Sequence, residues 1–216
     1  MMENKDKGIG NVVILLLDLL VVASVSYAVL GMFFSRSNGV LVAGGWSAFK
    51  YYTVLSNVFC ALSCLCSVLF CIFRKEAVLP SWLYIFRLMG SSVVTVTLLV
   101  VLIFLGPRLG YALMFEGVNL WLHLIAPVLA ITGQLLLKSG KRLPFRASLW
   151  GIVPTAVYGG VYIMVNAVGW TGKSNPVTDV YRFLSWGWGV GIAIFAGIFL
   201  INWMVSVLFW RLGRMR

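Results

Sequence analysis

Six long apolar runs alternate with short polar segments along this chain, at about 11–34, 50–73, 80–105, 117–137, 147–169 and 185–210. Each reaches about 20 residues, the length a helix needs to cross the hydrocarbon core of a bilayer. Turn-forming residues punctuate the runs: Ser37-Asn38-Gly39, Gly106-Pro107, Ser139-Gly140 and the stretch 172–176. Barrel strands would alternate in segments of about ten residues, and these runs do not. The pattern predicts an all-α polytopic membrane protein, a six-helix bundle forming one transmembrane domain. Pro154 and the Gly159-Gly160 pair predict a bend in the fifth helix.

Composition narrows the class. The chain has 216 residues, 61% of them hydrophobic and 11% charged, whereas soluble domains carry about 25% charged residues. That excludes an ordinary soluble enzyme and a disordered chain. The net charge of +11 does not point to nucleic acid, because cytoplasmic loops of membrane proteins collect Lys and Arg. Eleven of the 17 basic residues fall on the side of the termini and of the second and fourth loops. Five fall on the other side, and Arg87 lies within a run. This bias predicts both termini in the cytoplasm of a multi-pass cell-membrane protein. Eight tryptophans, Trp170 among them, sit near run ends, where amphipathic rings prefer the interface; Trp203 lies deeper. The first run is too long for a signal-peptide core and is read as a retained helix. Cys60, Cys64, Cys66 and Cys71 share one apolar run, which suits packing rather than a disulfide framework. One histidine is too few for a typical metal cluster, so no metal or organic cofactor is expected. No repeat relates the two halves.

Ionisable groups inside a span are costly and call for a reason. Asp18 and Arg87 lie about seven residues into the first and third runs from the same side, both roughly 10 Å deep. Equal depth and opposite charge predict a structural ion pair; a proton relay or substrate counter-ion is the alternative. Thr53 and His123 lie near the opposite ends of the second and fourth runs. Ser56 and Asn57 share the helical face of Thr53. A hydroxyl beside an imidazole is the minimum for nucleophilic acyl transfer, and the amide of Asn57 would serve a developing oxyanion. Such groups also bond to neighbouring helices without any chemistry. Tyr158, Tyr162 and Asn166 form one face of the fifth run that would reach the same pocket. Gly189, Ala193 and Gly197 make a small-residue stripe suited to helix packing, within the chain or between copies.

Two stretches carry a resemblance. Phe49-Lys50-Tyr51-Tyr52-Thr53-Val54-Leu55-Ser56-Asn57 is similar to the second-helix motif of a bacterial six-helix membrane family. Leu120-Trp121-Leu122-His123-Leu124-Ile125-Ala126-Pro127-Val128-Leu129 is similar to its fourth-helix motif. That family resembles the androgen-induced and androgen-dependent membrane threonine hydrolases, which cleave fatty acid esters of hydroxy fatty acids. The resemblance implies Thr53 as nucleophile and His123 as its base, a lipid or acyl-ester substrate, and no cofactor. Ser56 stays open as a second nucleophile, and Asn57 or Ser56 would support the oxyanion. No acid is placed to orient His123, so the site is a dyad or uses a neutral partner such as Asn166 or Tyr162. The competing readings are a binding or transport protein using the same pocket, and a structural membrane partner.

Overall fold

The structure is a computed structural model that describes residues 2–34, 44–74, 78–168, 175 and 177–214, without the side chains of 2–10 and 214. The turn at Ser37-Asn38-Gly39 and the stretch 172–176, Asn175 excepted, lie outside the described residues. So do Arg36, Lys75, Gly169, Trp170, Lys173, Arg216 and the side chains of Lys5, Lys7 and Arg214.

Among the described residues six helices are long and apolar enough to cross a membrane: Asn11–Phe34, Tyr52–Arg74, Ser81–Leu109, Val118–Leu136, Phe145–Val168 and Trp188–Gly213. They are designated α1 to α6; α1 begins at Met2 and α6 extends to Arg214. The chain is thus an all-α polytopic bundle. An even number of crossings puts the start of α1 and the end of α6 at the same end of the bundle.

Helix α3 is central, packed against α2, α4, α5 and α6, while α1 packs on α2 and α4. Small side chains explain that position, because they let neighbouring backbones approach. Gly90, Ser91 and Ser92 are all buried on α3. A Cβ at Gly90 would collide with Ser63 of α2, and one at Gly151 of α5 with Ser206 of α6. The outward faces expose Leu16, Leu20, Leu62, Ile103, Met164 and Leu208. Such a surface is a liability in water and ordinary against lipid.

Gly106-Pro107 does not form the predicted turn: α3 continues through it to Leu109. A π-helical turn at Val101–Leu105 is the reason. Proline lacks an N–H, and its ring collides with the carbonyl four residues back. Widening the preceding turn by one residue relieves that collision. Gly106 N–H then bonds Val101 O. Leu102 O is left without a backbone donor, since five residues ahead stands Pro107, and the Tyr111 hydroxyl donates to it at 2.7 Å. Helix α4 uses the same device before Pro127. There the π turn is Trp121–Ile125, Ala126 N–H bonds Trp121 O, and Leu122 O accepts from Asn57 Nδ2 of α2 at 3.0 Å.

Asn57→Leu is therefore expected to destabilise the bundle by about 1–2 kcal/mol, the scale of a buried hydrogen bond left unmade in a membrane protein. Adding Pro127→Ala returns a backbone donor beside Leu122 and is expected to recover part of the loss. Heating each variant in detergent and following the folded fraction measures both effects. Equal melting of wild type and Asn57→Leu would refute this account.

Other expectations fare differently. Helix α5 starts as a 3-10 helix, Phe145–Ile152, and becomes α-helical at Val153, so its irregularity lies at Pro154. Gly159 instead serves close packing against Phe195 and Phe199 of α6. Among the described residues the Gly189, Ala193, Gly197 stripe packs against no other helix: nothing lies within 4 Å of a Cβ built at Gly189 or Gly197, and Ala193 is exposed. All four cysteines are free, with Cys60 and Cys64 buried in the helix packing.

Candidate functional site

Thr53 and His123 line one cavity of about 490 Å³, at the bundle end away from the termini. The first turn of α2 supplies Thr53, and the π turn of α4 supplies His123. A backbone clamp holds the two helices together there. Asn57 Nδ2 donates to Thr53 O at 2.7 Å and to Leu122 O at 3.0 Å, so Thr53 and the residue before His123 lie side by side. No hydrogen bond joins the Thr53 and His123 side chains. Both face the same space.

His123 is 6% exposed and its Nδ1 lies 2.7 Å from Met114 O. A carbonyl only accepts, so Nδ1 carries the proton and Nε2 is the basic nitrogen of the neutral ring. The loop between α3 and α4 builds this contact. Gly110 (φ 95°) turns the chain out of α3, Tyr111–Met114 forms one helical turn, and Gly117 (φ 55°) sends it into α4. Both glycines occupy backbone regions that favour glycine. The orienting partner of His123 is thus a main-chain carbonyl, which a search for side-chain acids and amides does not find. Asn166 and Tyr162 do not orient it.

The remaining sequence candidates divide between two places. Asn57 spends both amide protons on carbonyls and has none left for an oxyanion. The Ser56 hydroxyl is buried 2.9 Å from Thr97 Oγ1 and 3.1 Å from Thr53 O, and it borders a different cavity. That second cavity, about 820 Å³, lies between α2 and α5 and has walls of Leu55, Phe59, Val157 and Val161. Tyr158, Tyr162 and Asn166 line it too, rather than the cavity of His123. Tyr162 donates its hydroxyl to Asp179, a buried acid of the loop between α5 and α6. Asn166 Nδ2 donates to Tyr162 O at 2.9 Å, and its Oδ1 accepts from the Thr178 hydroxyl at 2.7 Å.

A wall of tyrosines separates the two cavities, with a space of about 40 Å³ between Tyr52, Thr53, Tyr158 and Tyr181. Tyr52 N–H donates to Tyr181 Oη at 2.8 Å, and Tyr158 Oη donates to Lys50 O at 2.8 Å. Burial pushes the Tyr181 phenol up from 10.0 to about 12, against opposing hydrogen bonds from the Tyr52 and Thr53 backbone and from the Tyr158 and Thr53 side chains. Because the folded state holds this proton more tightly, its stabilisation is full below pH 10 and is lost as pH rises towards 12. The phenolate absorbance missing from Tyr181→Phe is expected to titrate near pH 12 in detergent. A difference signal centred at 10 would mean that this ring is open to water.

The polar groups of the Thr53 cavity that sequence reasoning missed are Asn119, Arg108, Tyr181 and Arg182. Asn119 precedes His123 by four residues on α4, so the spacing alone was a usable signal. In the sequence alone, Arg108 and Arg182 bear only on membrane orientation. Asp18 and Arg87 lie elsewhere: Arg87 Nη2 is 2.7 Å from Asp18 Oδ1, and Nη1 donates to Cys64 Sγ at 3.0 Å. Among the described residues, no group of three or more His, Cys, Asp or Glu could hold a metal ion. No known protein family, curated protein or solved structure matches the chain.

Proposed function

We propose that this protein is an integral membrane hydrolase of lipid esters, with Thr53 as nucleophile and His123 as general base and acid. One observation carries the reading. Two residues from different helices line one cavity, and the imidazole is fixed through Nδ1 so that Nε2 is the basic atom. This is the constellation that acyl transfer needs, and catalytic hydrogen bonds often tighten only when substrate is bound. The two sequence motifs, with their resemblance to membrane threonine hydrolases, support the same assignment. Thr53 is favoured over Ser56 because it lines the cavity of His123, whereas Ser56 borders the second cavity and bonds Thr97. The lipid-sized apolar cavity beside the site supports a fatty acyl substrate. With the termini in the cytoplasm, as the charge bias supports, the site faces the outer leaflet.

In this mechanism Nε2 of His123 takes the Thr53 proton as Oγ1 attacks the ester carbonyl. The side-chain amide of Asn119 donates to the oxyanion. His123 returns the proton to the leaving alcohol. It then deprotonates a water that attacks the acyl-threonine ester, releasing the fatty acid and restoring the hydroxyl.

Labelling of the purified protein with a fluorophosphonate probe tests the reading. Wild type and Ser56→Ala are expected to label, and Thr53→Ala and His123→Ala to remain unlabelled while eluting as folded protein. Labelling that persists in Thr53→Ala would overturn the assignment of the nucleophile. A folded wild type that neither labels nor cleaves a fluorogenic fatty ester would overturn the hydrolase.

A further inference from the structure

Two guanidinium side chains share the cavity of Thr53 and His123, and among the described residues no acid lines it. Arg108 lies in the last turn of α3, with its guanidinium carbon 5.1 Å from the ring centre of Trp186 and 5.9 Å from that of Phe104. Aromatic faces hold the fork and leave its charge intact. Arg182 sits in the loop between α5 and α6. Neither arginine is ion-paired with a carboxylate among the described residues; the pair found there is Asp18 with Arg87. Both arginines are exposed to solvent, and together they give this cavity a positive field that favours an anion.

The backbone makes the second arginine more telling. Arg182 has φ 58°, and among the described residues no other non-glycine has positive φ. Glycine adopts that conformation freely, whereas a Cβ makes it costly. The surrounding loop enforces it. Arg182 N–H donates to Asp179 O at 3.0 Å, Leu184 N–H donates to Asp179 Oδ2 at 3.1 Å, and Ser185 Oγ donates to Arg182 O at 2.6 Å. Strain of this kind is kept where a side chain has a task.

We propose that Arg108 and Arg182 bind an oxyanion of the ligand, a carboxylate or a phosphate, in the cavity of Thr53 and His123. The guanidinium fork matches both groups and receives them through paired N–H donors. Its place in a reaction rests on the hydrolase reading: the substrates of the resembled hydrolases carry a free carboxylate, and Arg108 and Arg182 are the residues assigned here to hold such a group. Neutral esters lack the group that pairs with the two guanidinium forks.

The binding test uses full-length protein in a neutral maltoside detergent, with calorimetry on oleate, oleyl phosphate, methyl oleate and inorganic phosphate. Oleate or oleyl phosphate is expected to bind at least about tenfold more tightly than methyl oleate, the scale of one charge-assisted hydrogen bond. Arg108→Gln and Arg182→Gly are each expected to remove that preference. Arg182→Lys retains part of it. Glycine suits φ 58°, so Arg182→Gly is expected to melt no earlier than wild type, which separates lost binding from lost folding. Tight binding of inorganic phosphate alone supports the anion site and makes its ligand a soluble anion; binding of the amphiphiles alone makes it a lipid.

Equal affinity for oleate and methyl oleate, or oleate affinity unchanged in both arginine variants, would overturn the proposal. Arginine-dependent binding by a protein that never labels with fluorophosphonate would leave the anion site standing without the hydrolase. Labelling without anion preference would do the reverse.

Discussion

Asp18→Asn is expected to destabilise the bundle by about 3–5 kcal/mol, the usual result of removing one partner from a buried ion pair. Arg87 is 0% exposed and lies 2.7 Å from Asp18. The pair links α1 to α3 while α2 and α4 close around it. Cys64 of α2 accepts from Arg87 at 3.0 Å. Gly133 of α4 leaves the room: a Cβ there would lie 3.2 Å from Arg87 Nη2 and 3.5 Å from Asp18 Oδ1. Without the carboxylate, the guanidinium keeps its charge, because arginine does not deprotonate in proteins. The reverse change, Arg87→Met, is expected to cost less, since an orphaned carboxyl can take up a proton and become neutral. Replacing both, as in Asp18→Leu with Arg87→Met, is expected to recover most of the stability. The folded fraction after graded heating in detergent ranks the three variants. If Asp18→Asn melts like wild type, the pair does not fasten the helices. A selective loss of activity with unchanged melting would then assign it to function.

His123→Ala is expected to lower kcat/KM for a fatty ester by about 10²–10⁴-fold, the range attributed to general acid–base catalysis. Thr53→Ala is expected to fall at least as far, since Thr53 supplies the aliphatic hydroxyl among the residues lining the cavity of His123. Ser56→Ala is expected to change the rate little, because that hydroxyl serves Thr97 and the Thr53 carbonyl. Asn119→Ala is expected to lose about 10²–10³-fold in kcat, the cost of one oxyanion donor. Steady-state kinetics on the five proteins, each checked for monodispersity, tests the set. Retained turnover in His123→Ala would remove the base from the mechanism. A larger loss in Ser56→Ala than in Thr53→Ala would move the nucleophile.

The apolar runs were enough to find all six helices, because a lipid-exposed helix must be apolar over its whole length. The depth argument paired Asp18 with Arg87 for a similar reason: an unpaired charge inside a span is costly, and few partners exist. The end of α3 was misread at Gly106-Pro107. Proline forbids one backbone bond, but whether a helix stops or widens depends on a side chain arriving to take the freed carbonyl. Tyr111 arrives for Leu102, and Asn57 for Leu122. The same uncertainty misassigned Asn57: residue type suggested an oxyanion donor, and its two acceptors make it a clamp between helices.

From the sequence by itself came the six spans, their apolar exteriors, the intramembrane ion pair, and Thr53 with His123 as the residues to watch. These follow from costs that act on each segment alone: hydrocarbon length, buried charge and helical periodicity. Tertiary structure alone decided which polar groups share a cavity. It put Met114 O behind His123, turned Tyr162 and Asn166 towards Asp179 and the second cavity, and brought Arg108 and Arg182 to Thr53. Those outcomes depend on loop conformation, on glycines at positive φ, and on contacts between residues far apart in the chain. Hydrophobic pattern does not encode them, because a loop's path is set by what its backbone bonds to after the helices have packed.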